Sequence, residues 1–284
     1  MTDPVAAVVQ RVQALATLPT VAARIMKVAD DPDASISRLH WVLNEDPVLA
    51  ARVLKVVNSA FYRRSKAIAS TLTAIHILGV SSVRSIAVAA SLTRLFRGPQ
   101  LARLKELDGL WDHAVAVGVA ARALAEHTRV SAPDEAQLAG VLHDLGVVVA
   151  LQGDFTRFRG VIEEALAHPT RPFRELEQEG MAMDHQQLGA ALCETWNFPP
   201  QLVNVCRHHH DPMVLAPGEQ KLPALVHVAD VLAAQVGIGF TRTVERDTPD
   251  PAALELLRLD DDALAGIRER LGAEVREALA QLAA

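Results

Sequence analysis

Imidazoles and carboxylates recur along this 284-residue chain in a set that suits a divalent metal: His113, the adjacent pair His143-Asp144, His185, the run His208-His209-His210, and Asp230. Nitrogen and oxygen donors of this kind serve Fe, Mn, Ni or Zn, and the lack of thiolate ligands at metal spacing argues against a structural zinc knuckle. The two cysteines, Cys193 and Cys206, have no CxxC spacing and read as reduced core residues of a cytoplasmic protein.

A single histidine in a helix is more often a packing or surface residue than a ligand, and His40, His76, His127, His168 and His227 are read that way. His143-Asp144 differs by its setting, the otherwise apolar Ala139-Gly140-Val141-Leu142-His143-Asp144-Leu145-Gly146. An unpaired imidazole and carboxylate buried there would cost several kcal/mol, and a metal supplies the missing partner. Neighbouring residues on a helix point about 100° apart, so both ligate only a metal seated over that edge. The helices carrying His113, His185, His209 and Asp230 must then converge on the same spot, as facing helices of a bundle do.

Those positioning elements read as helices throughout, because apolar residues recur at helical spacing and no alternating strand pattern is present. Leu18-Pro19-Thr20 opens a helix through Val28, stopped by Asp30-Asp31-Pro32-Asp33, and Ser35 or Ser37 caps the next. Asp46-Pro47 is an N-cap followed by a first-turn proline. Ser70 to Leu78 closes at Gly79, and a helix from Ser81 or Ser82 runs to Phe96. Arg97-Gly98-Pro99 marks a boundary between a helical subdomain, 1–98, and a helical bundle with a C-terminal extension, 99–284. Further helices are expected from Trp111 to about His127, over Glu135–Leu151, Phe155–Ala167, Asp184–Trp196, Pro200–His209, Pro223–Val236, Pro251–Leu257 and Ala263–Ala283.

Composition agrees. Half the residues are hydrophobic but only 4% aromatic, so the core must come from Ala, Leu and Val, which favours helices. Through residue 100 there are 12 Lys/Arg against 6 Asp/Glu, while the remainder has 16 against 28; this asymmetry fits two subdomains with different surfaces. The N-terminus lacks the basic-then-apolar pattern of a signal peptide, and charges interrupt the long apolar stretches, so no membrane span is expected. There is no glycine-rich phosphate loop and no Gly-x-Ser-x-Gly elbow.

Leu142-His143-Asp144-Leu145-Gly146 resembles the signature of the HD superfamily of metal-dependent phosphohydrolases. The stretches Leu18-Pro19, Asp46-Pro47, Val53 to Phe61, Ala74 to Gly79, Trp111-Asp112-His113, Asp184 to Ala190 and Trp196 to Pro199 narrow the resemblance to the HDOD (HD-related output domain) family. It covers about Leu18 to Ala234 and implies an all-α signalling or output module found in bacterial regulatory proteins. It also implies metal ligands at His113, His143, Asp144 and Asp230, with His185, His209 and His210 matching the second-metal histidines of the related HD-GYP phosphodiesterases. The lysine that follows the His-Asp pair in those enzymes is Val147 here, and their Gly-Tyr-Pro element is absent after His210.

The expected function is therefore cytoplasmic signal transduction with a His/Asp site for one or two divalent metals, acting through a protein partner and open to a nucleotide ligand. The alternative is a metal-dependent phosphohydrolase acting on a nucleotide or other phosphoester, with Asp144 orienting water; no further catalytic residue is assigned. Arg52, Lys55, Arg63, Arg64 and Lys66 beside Phe61-Tyr62 form a cationic cluster with aromatic rings, but a solvated loop is the simpler reading and nucleic acid is not the expected partner.

Overall fold

The computed structural model describes residues 20–28, 32–59, 62, 67–96 and 101–282. Every regular element among them is a helix. In chain order these are α1 (Thr20–Met26), α2 (Pro32–Asn44), α3 (Pro47–Val57), α4 (Thr71–Leu78), α5 (Val80–Phe96), α6 (Leu110–Thr128), α7 (Pro133–Leu142), α8 (Leu145–Gly153), α9 (Phe155–Ala167), α10 (Phe173–Met181), α11 (His185–Thr195), α12 (Pro200–His208), α13 (Lys221–Gln235), α14 (Pro251–Leu257) and α15 (Asp261–Leu282). The boundary signal at residues 97–99 and the Leu18-Pro19 motif lie outside the described residues.

Helix α6 is the axis of the fold: α7, α13 and α15 pack along it, and nearly all of it is buried. Helices α8, α11 and α12 form a neighbouring layer, while α1–α5 pack together and meet the rest where α5 lies on α7. The final helix, α15, carries Leu264, Ile267, Leu271, Val275, Ala278 and Leu282 at three- and four-residue steps. That stripe faces α6, and the far end of α15 reaches α3, where the Lys55 ammonium donates to the Ala280 carbonyl at 2.8 Å.

Local chemistry fixes most boundaries. Asp46 accepts from the amides of Val48 and Leu49 to start α3, and Ser70 caps α4, which ends at Gly79 with φ +86°. Asp184 and Gln187 close a reciprocal capping box at the start of α11. Three expectations are corrected. Pro32 and Asp33 lie inside α2 rather than stopping α1, because proline fits the first turn of a helix, so neither Ser35 nor Ser37 is the cap. Helix α10 falls where no helix was expected. The single helix expected over Glu135–Leu151 is two, α7 and α8, with His143 and Asp144 at the break.

That break is forced by backbone contact. Gly140 in α7 lies against Gly118 in α6, where an added Cβ would sit 2.7 Å from the Gly118 Cα. Gly146 in α8 lies against the start of α11, where a Cβ would sit 1.8 Å from the His185 carbonyl oxygen. The chain must meet α6 and α11 at van der Waals distance on either side of the His-Asp pair. By length and composition Pro133–Gly153 is apolar enough to cross a membrane, yet 83% of its most apolar window is buried inside the fold.

Gly146→Ala is expected to destabilise the protein by at least about 1–3 kcal/mol, the usual range for overpacking, because the facing atom is backbone and cannot rotate away. Chemical denaturation of the variant beside the wild type measures it, and an unchanged midpoint would refute the close approach.

Candidate metal centre

His113 stands in the first turn of α6, and its Nδ1 donates to the Ile238 carbonyl at 3.3 Å. Its Nε2 is thereby turned to Asp230 Oδ1 at 3.0 Å, contributed by α13. At the α7–α8 break, His143 Nδ1 donates to the Gly140 carbonyl at 2.7 Å. The His143 Nε2 points to Asp144 Oδ2 at 3.4 Å and Asp230 Oδ1 at 3.6 Å. His209, just past α12, is held through Nδ1 by the carbonyls of Val205 and Cys206 and presents Nε2 to Asp144 Oδ1 at 3.6 Å. His185, the first residue of α11, is gripped by Glu177 of α10, which takes both its Nδ1 at 2.6 Å and its backbone amide at 3.0 Å. The His185 Nε2 lies 3.5 Å from Asp144 Oδ1 and 3.0 Å from His210 Nε2, its hydrogen-bond partner.

A common pattern runs through these rings. In His113, His143, His185 and His209 the outer nitrogen is bound to a carbonyl or carboxylate, which fixes the ring and aims Nε2 inward, where a deprotonated ring would offer its lone pair to a metal. His143 Nε2, His209 Nε2 and Asp144 Oδ1 are buried without a hydrogen-bond partner. The donor atoms of His113, His143 and Asp144 all lie within 4.8 Å of one another, as do those of His185, His209 and His210. Asp144 lies between the groups, one oxygen toward each. All seven residues singled out from the sequence thus meet in one place, and each is buried.

The electrostatics are those of an unfinished charge balance. Burial pushes His209 down to about 3, helped by a protonated His143 beside it, and burial also holds His210 well below its usual range. Burial acts against His143 and His185 too, but Asp144 lifts the first well above the usual range and Glu177 the second to about 9. Asp144 and Asp230 resist burial and fall well below the usual carboxylate range because imidazoles surround them. Adjacent rings thus face opposite protonation demands, which a central cation resolves by needing every donor deprotonated.

Several contributors were not foreseen. Glu177 lies on the stripe Phe173, Leu176, Glu177, Met181, and an acid on an otherwise apolar face is a signal legible in the sequence. Thr243 donates its hydroxyl to Asp144 Oδ2 at 2.7 Å from the stretch between α13 and α14. His227 packs as expected, yet it also braces the site: Nδ1 donates to the His209 carbonyl at 2.9 Å, and Nε2 accepts from the Asp250 amide at 3.0 Å. Arg174, at the edge, bonds Glu245, Gln186 and Asp211. Of the cationic cluster, Arg63, Arg64, Lys66 and the ring of Phe61 lie outside the described residues. Tyr62 faces inward, its hydroxyl on Asp134 and its ring beneath Arg122.

An all-helical fold with His and Asp donors converging at a helix break defines a protein of the HD type. Within it this chain belongs to the HDOD family: the HDOD domain profile matches residues 15–212. A protein of Treponema pallidum (strain Nichols) whose role is uncharacterized is 26% identical over 217 residues, 76% of this chain but 41% of that protein; the chain therefore spans about two-fifths of that relative's length. The structure of a candidate phosphohydrolase from Shewanella amazonensis SB2B covers 98% of both chains with a TM-score of 0.73 at 24% identity. An HDOD domain protein with unknown function from Geobacter sulfurreducens matches 93% of this chain and 96% of its own with a TM-score of 0.68 at 23% identity. A candidate signal transduction protein from Marinobacter aquaeolei VT8 gives 0.76 at 24% identity over 95% of this chain and 60% of that one. At these identities the likeness establishes the fold alone.

With no metal bound, the protein is expected to be most stable near the ordinary histidine pKa of about 6.5. Below it the unfolded chain takes up protons that His209 and His210 refuse in the fold, so stability falls with pH. Above it the contribution of His143 and His185, complete at lower pH, is lost as pH rises toward 9. Urea midpoints at pH 5.5, 6.5 and 8.5 test this; a steady rise across all three would contradict it.

Proposed function

We propose that this HDOD protein is a cytoplasmic bacterial signal-transduction module whose bundle holds a divalent metal centre in a regulatory role, acting through a protein partner. The observation that carries this reading is the set of inward-facing Nε2 atoms, each fixed by an outer hydrogen bond, around the unpartnered oxygen of Asp144. His113, His143, Asp144 and Asp230 would hold one ion, and His185, His209 and His210, with the other oxygen of Asp144, a second. Nitrogen and oxygen donors without thiolate suit Fe, Mn, Ni or Zn. Such an ion, when bound, supplies a Lewis acid and lowers the pKa of its water.

The protein's own residues favour regulation over turnover. The donors are all buried, and the stretch after α13 crosses them, with Ile238 on His113 and Thr243 on Asp144. Val147 stands where hydrolytic relatives of the HD-GYP type carry a lysine, so the charge that would steady a phosphate is missing there.

One observation favours the alternative, a phosphohydrolase acting on a nucleotide or other phosphoester. Arg174 lies near enough to His210 to depress its pKa, and its guanidinium is occupied by Glu245 and Asp211, anionic groups whose places a substrate phosphate would take.

Elemental analysis of protein purified without chelator or metal-affinity resin is expected to find one to two equivalents of Fe, Mn, Ni or Zn, lost in His143→Ala. Metal-free wild type would overturn the reading. The same protein is expected to leave bis(p-nitrophenyl) phosphate and cyclic dinucleotides uncleaved; turnover that Asp144→Ala abolishes would establish the hydrolase instead.

Glu177→Gln is expected to lower metal affinity about 10–100-fold, the usual effect of losing a group that orients a ligand histidine. Titration with Mn or Zn against a competing chelator measures it, and unchanged affinity would remove Glu177 from the site.

A further inference from the structure

The two cysteines of the chain meet beside the metal centre without belonging to its donor set. Cys193 of α11 and Cys206 of α12 are both fully buried, unbridged, and 3.5 Å apart at sulfur. The Cys206 thiol donates to the Leu142 carbonyl at 3.4 Å. With its one hydrogen used there, the bond between the two sulfurs has Cys193 as donor. The helices run close at this point: a Cβ added to Gly189, one turn before Cys193, would lie 3.5 Å from the Cys206 Cβ.

Two thiols in such contact are one reaction away from a covalent bond. A disulfide needs sulfurs about 2.05 Å apart, so this pair must close by about 1.5 Å. Buried cysteines that only fill space have no need to face each other, because any apolar wall serves a small apolar side chain.

The surroundings of Cys206 tie it to the metal donors. Its carbonyl accepts from His209 Nδ1 at 3.2 Å, and its sulfur holds the carbonyl of the residue before His143. Drawing that sulfur toward Cys193 breaks the second bond and strains the peptide that makes the first. Ligand distances in a metal site hold to within about 0.2 Å, so a movement of this size at Cys206 bears directly on His209.

We propose that Cys193 and Cys206 form a reversible dithiol–disulfide site, oxidised by a small hydroperoxide, whose closure weakens the metal centre. One thiolate attacks the O–O bond of the peroxide, giving a sulfenic acid and releasing an alcohol, or water from hydrogen peroxide. The second thiolate displaces the hydroxyl from that sulfur, and it leaves as water. Two thiols thus give up two electrons and two protons, which the peroxide takes up on reduction.

In the closed fold the reaction waits. The bond to Cys206 and burial hold the Cys193 thiol well above its usual range, so no thiolate stands ready there, and both sulfurs are shut off from solvent. Local opening of α12, a nine-residue helix that starts at Pro200, admits the oxidant. His209 and His210 follow α12 directly, so a metal held by them keeps the helix down. That coupling rests on the metal reading, whereas the dithiol site does not.

The test treats the full-length protein, reduced and then freed of reductant, with hydrogen peroxide under conditions that fully oxidise free glutathione. Thiols are counted by alkylation in denaturant and mass spectrometry. Expected are the loss of two hydrogens per chain without linkage between chains, a joined pair of peptides carrying Cys193 and Cys206, and full recovery with dithiothreitol. Two free thiols after treatment, or sulfinic acid with no joined peptide, would overturn the site. Manganese, whose preferred ligands are not thiolates, then reads the coupling. The oxidised protein is expected to bind Mn about tenfold more weakly than the reduced against a competing chelator, as when a group orienting a ligand is disturbed, and dithiothreitol is expected to restore the affinity. The double variant Cys193→Ala with Cys206→Ala is expected to keep its affinity through the same treatment; if it does not fold, recovery of the wild type with dithiothreitol decides. Undiminished Mn affinity in the oxidised protein, or equal loss in the double variant, would overturn the coupling. Reduced protein that binds no Mn would overturn the metal reading, with the joined peptides still deciding the thiol site.

Discussion

A carboxylate in the dry interior of a helical bundle is costly unless opposite charge and hydrogen bonds surround it, and Asp144 is wholly buried. Around it the fold places five imidazoles, from His113, His143, His185, His209 and His210, and the carboxylate of Asp230, drawn from five elements or their ends. Much of the architecture follows from that requirement. Helix α7 must stop before α8 begins, because a continuous helix would carry His143 and Asp144 past the centre on diverging faces. The Gly140–Gly118 and Gly146–His185 approaches bring the three backbones close enough for short side chains to meet.

What surrounds the donors explains why they are fixed. The Gly140, Val205, Cys206 and Ile238 carbonyls and the Glu177 carboxylate take the outer imidazole nitrogens. Four of these five acceptors are backbone atoms, so ring orientation is set by helix geometry and survives most side-chain changes nearby. Glu177 is the exception: a buried carboxylate whose own pKa burial raises, held next to His185 by bonds to both ring and amide. It is the one orienting group supplied by a separate helix, and α10 is placed in turn by Phe173 packed against Phe158, Phe240 and the His185 ring.

The sequence made the donors legible and concealed their supports. His143-Asp144 stood out because polar side chains interrupted an apolar run, and the all-helical class followed from spacing and from an Ala, Leu and Val core. The break between α7 and α8 was hidden because no proline marks it; Gly140 and Gly146 act by tertiary contact, which local propensity does not register. Glu177 was missed because its helix is short and polar on average, although the acid on the Phe173–Met181 stripe was there to be read. Thr243 and the Ile238 carbonyl carry no signal at all, since an irregular segment declares its course only through the surfaces it crosses.

That irregular segment bears on the choice between regulation and turnover. Between α13 and α14 its bonds steady three donors: Ile238 orients His113, Thr243 engages Asp144, and the Asp250 amide holds His227, which in turn holds the His209 carbonyl. The same stretch is tied outward by Arg242 to the carbonyls of Ala165, His168 and Arg171 and by Glu245 to Arg174. Lifting it to admit a phosphoester would loosen three of the donors it steadies and expose Asp144 with one bond fewer. A cover that can be removed only by weakening what lies beneath it is poorly suited to repeated turnover. It is well suited to a centre whose occupancy and backbone order rise and fall together, because whatever stabilises one then stabilises the other by linkage.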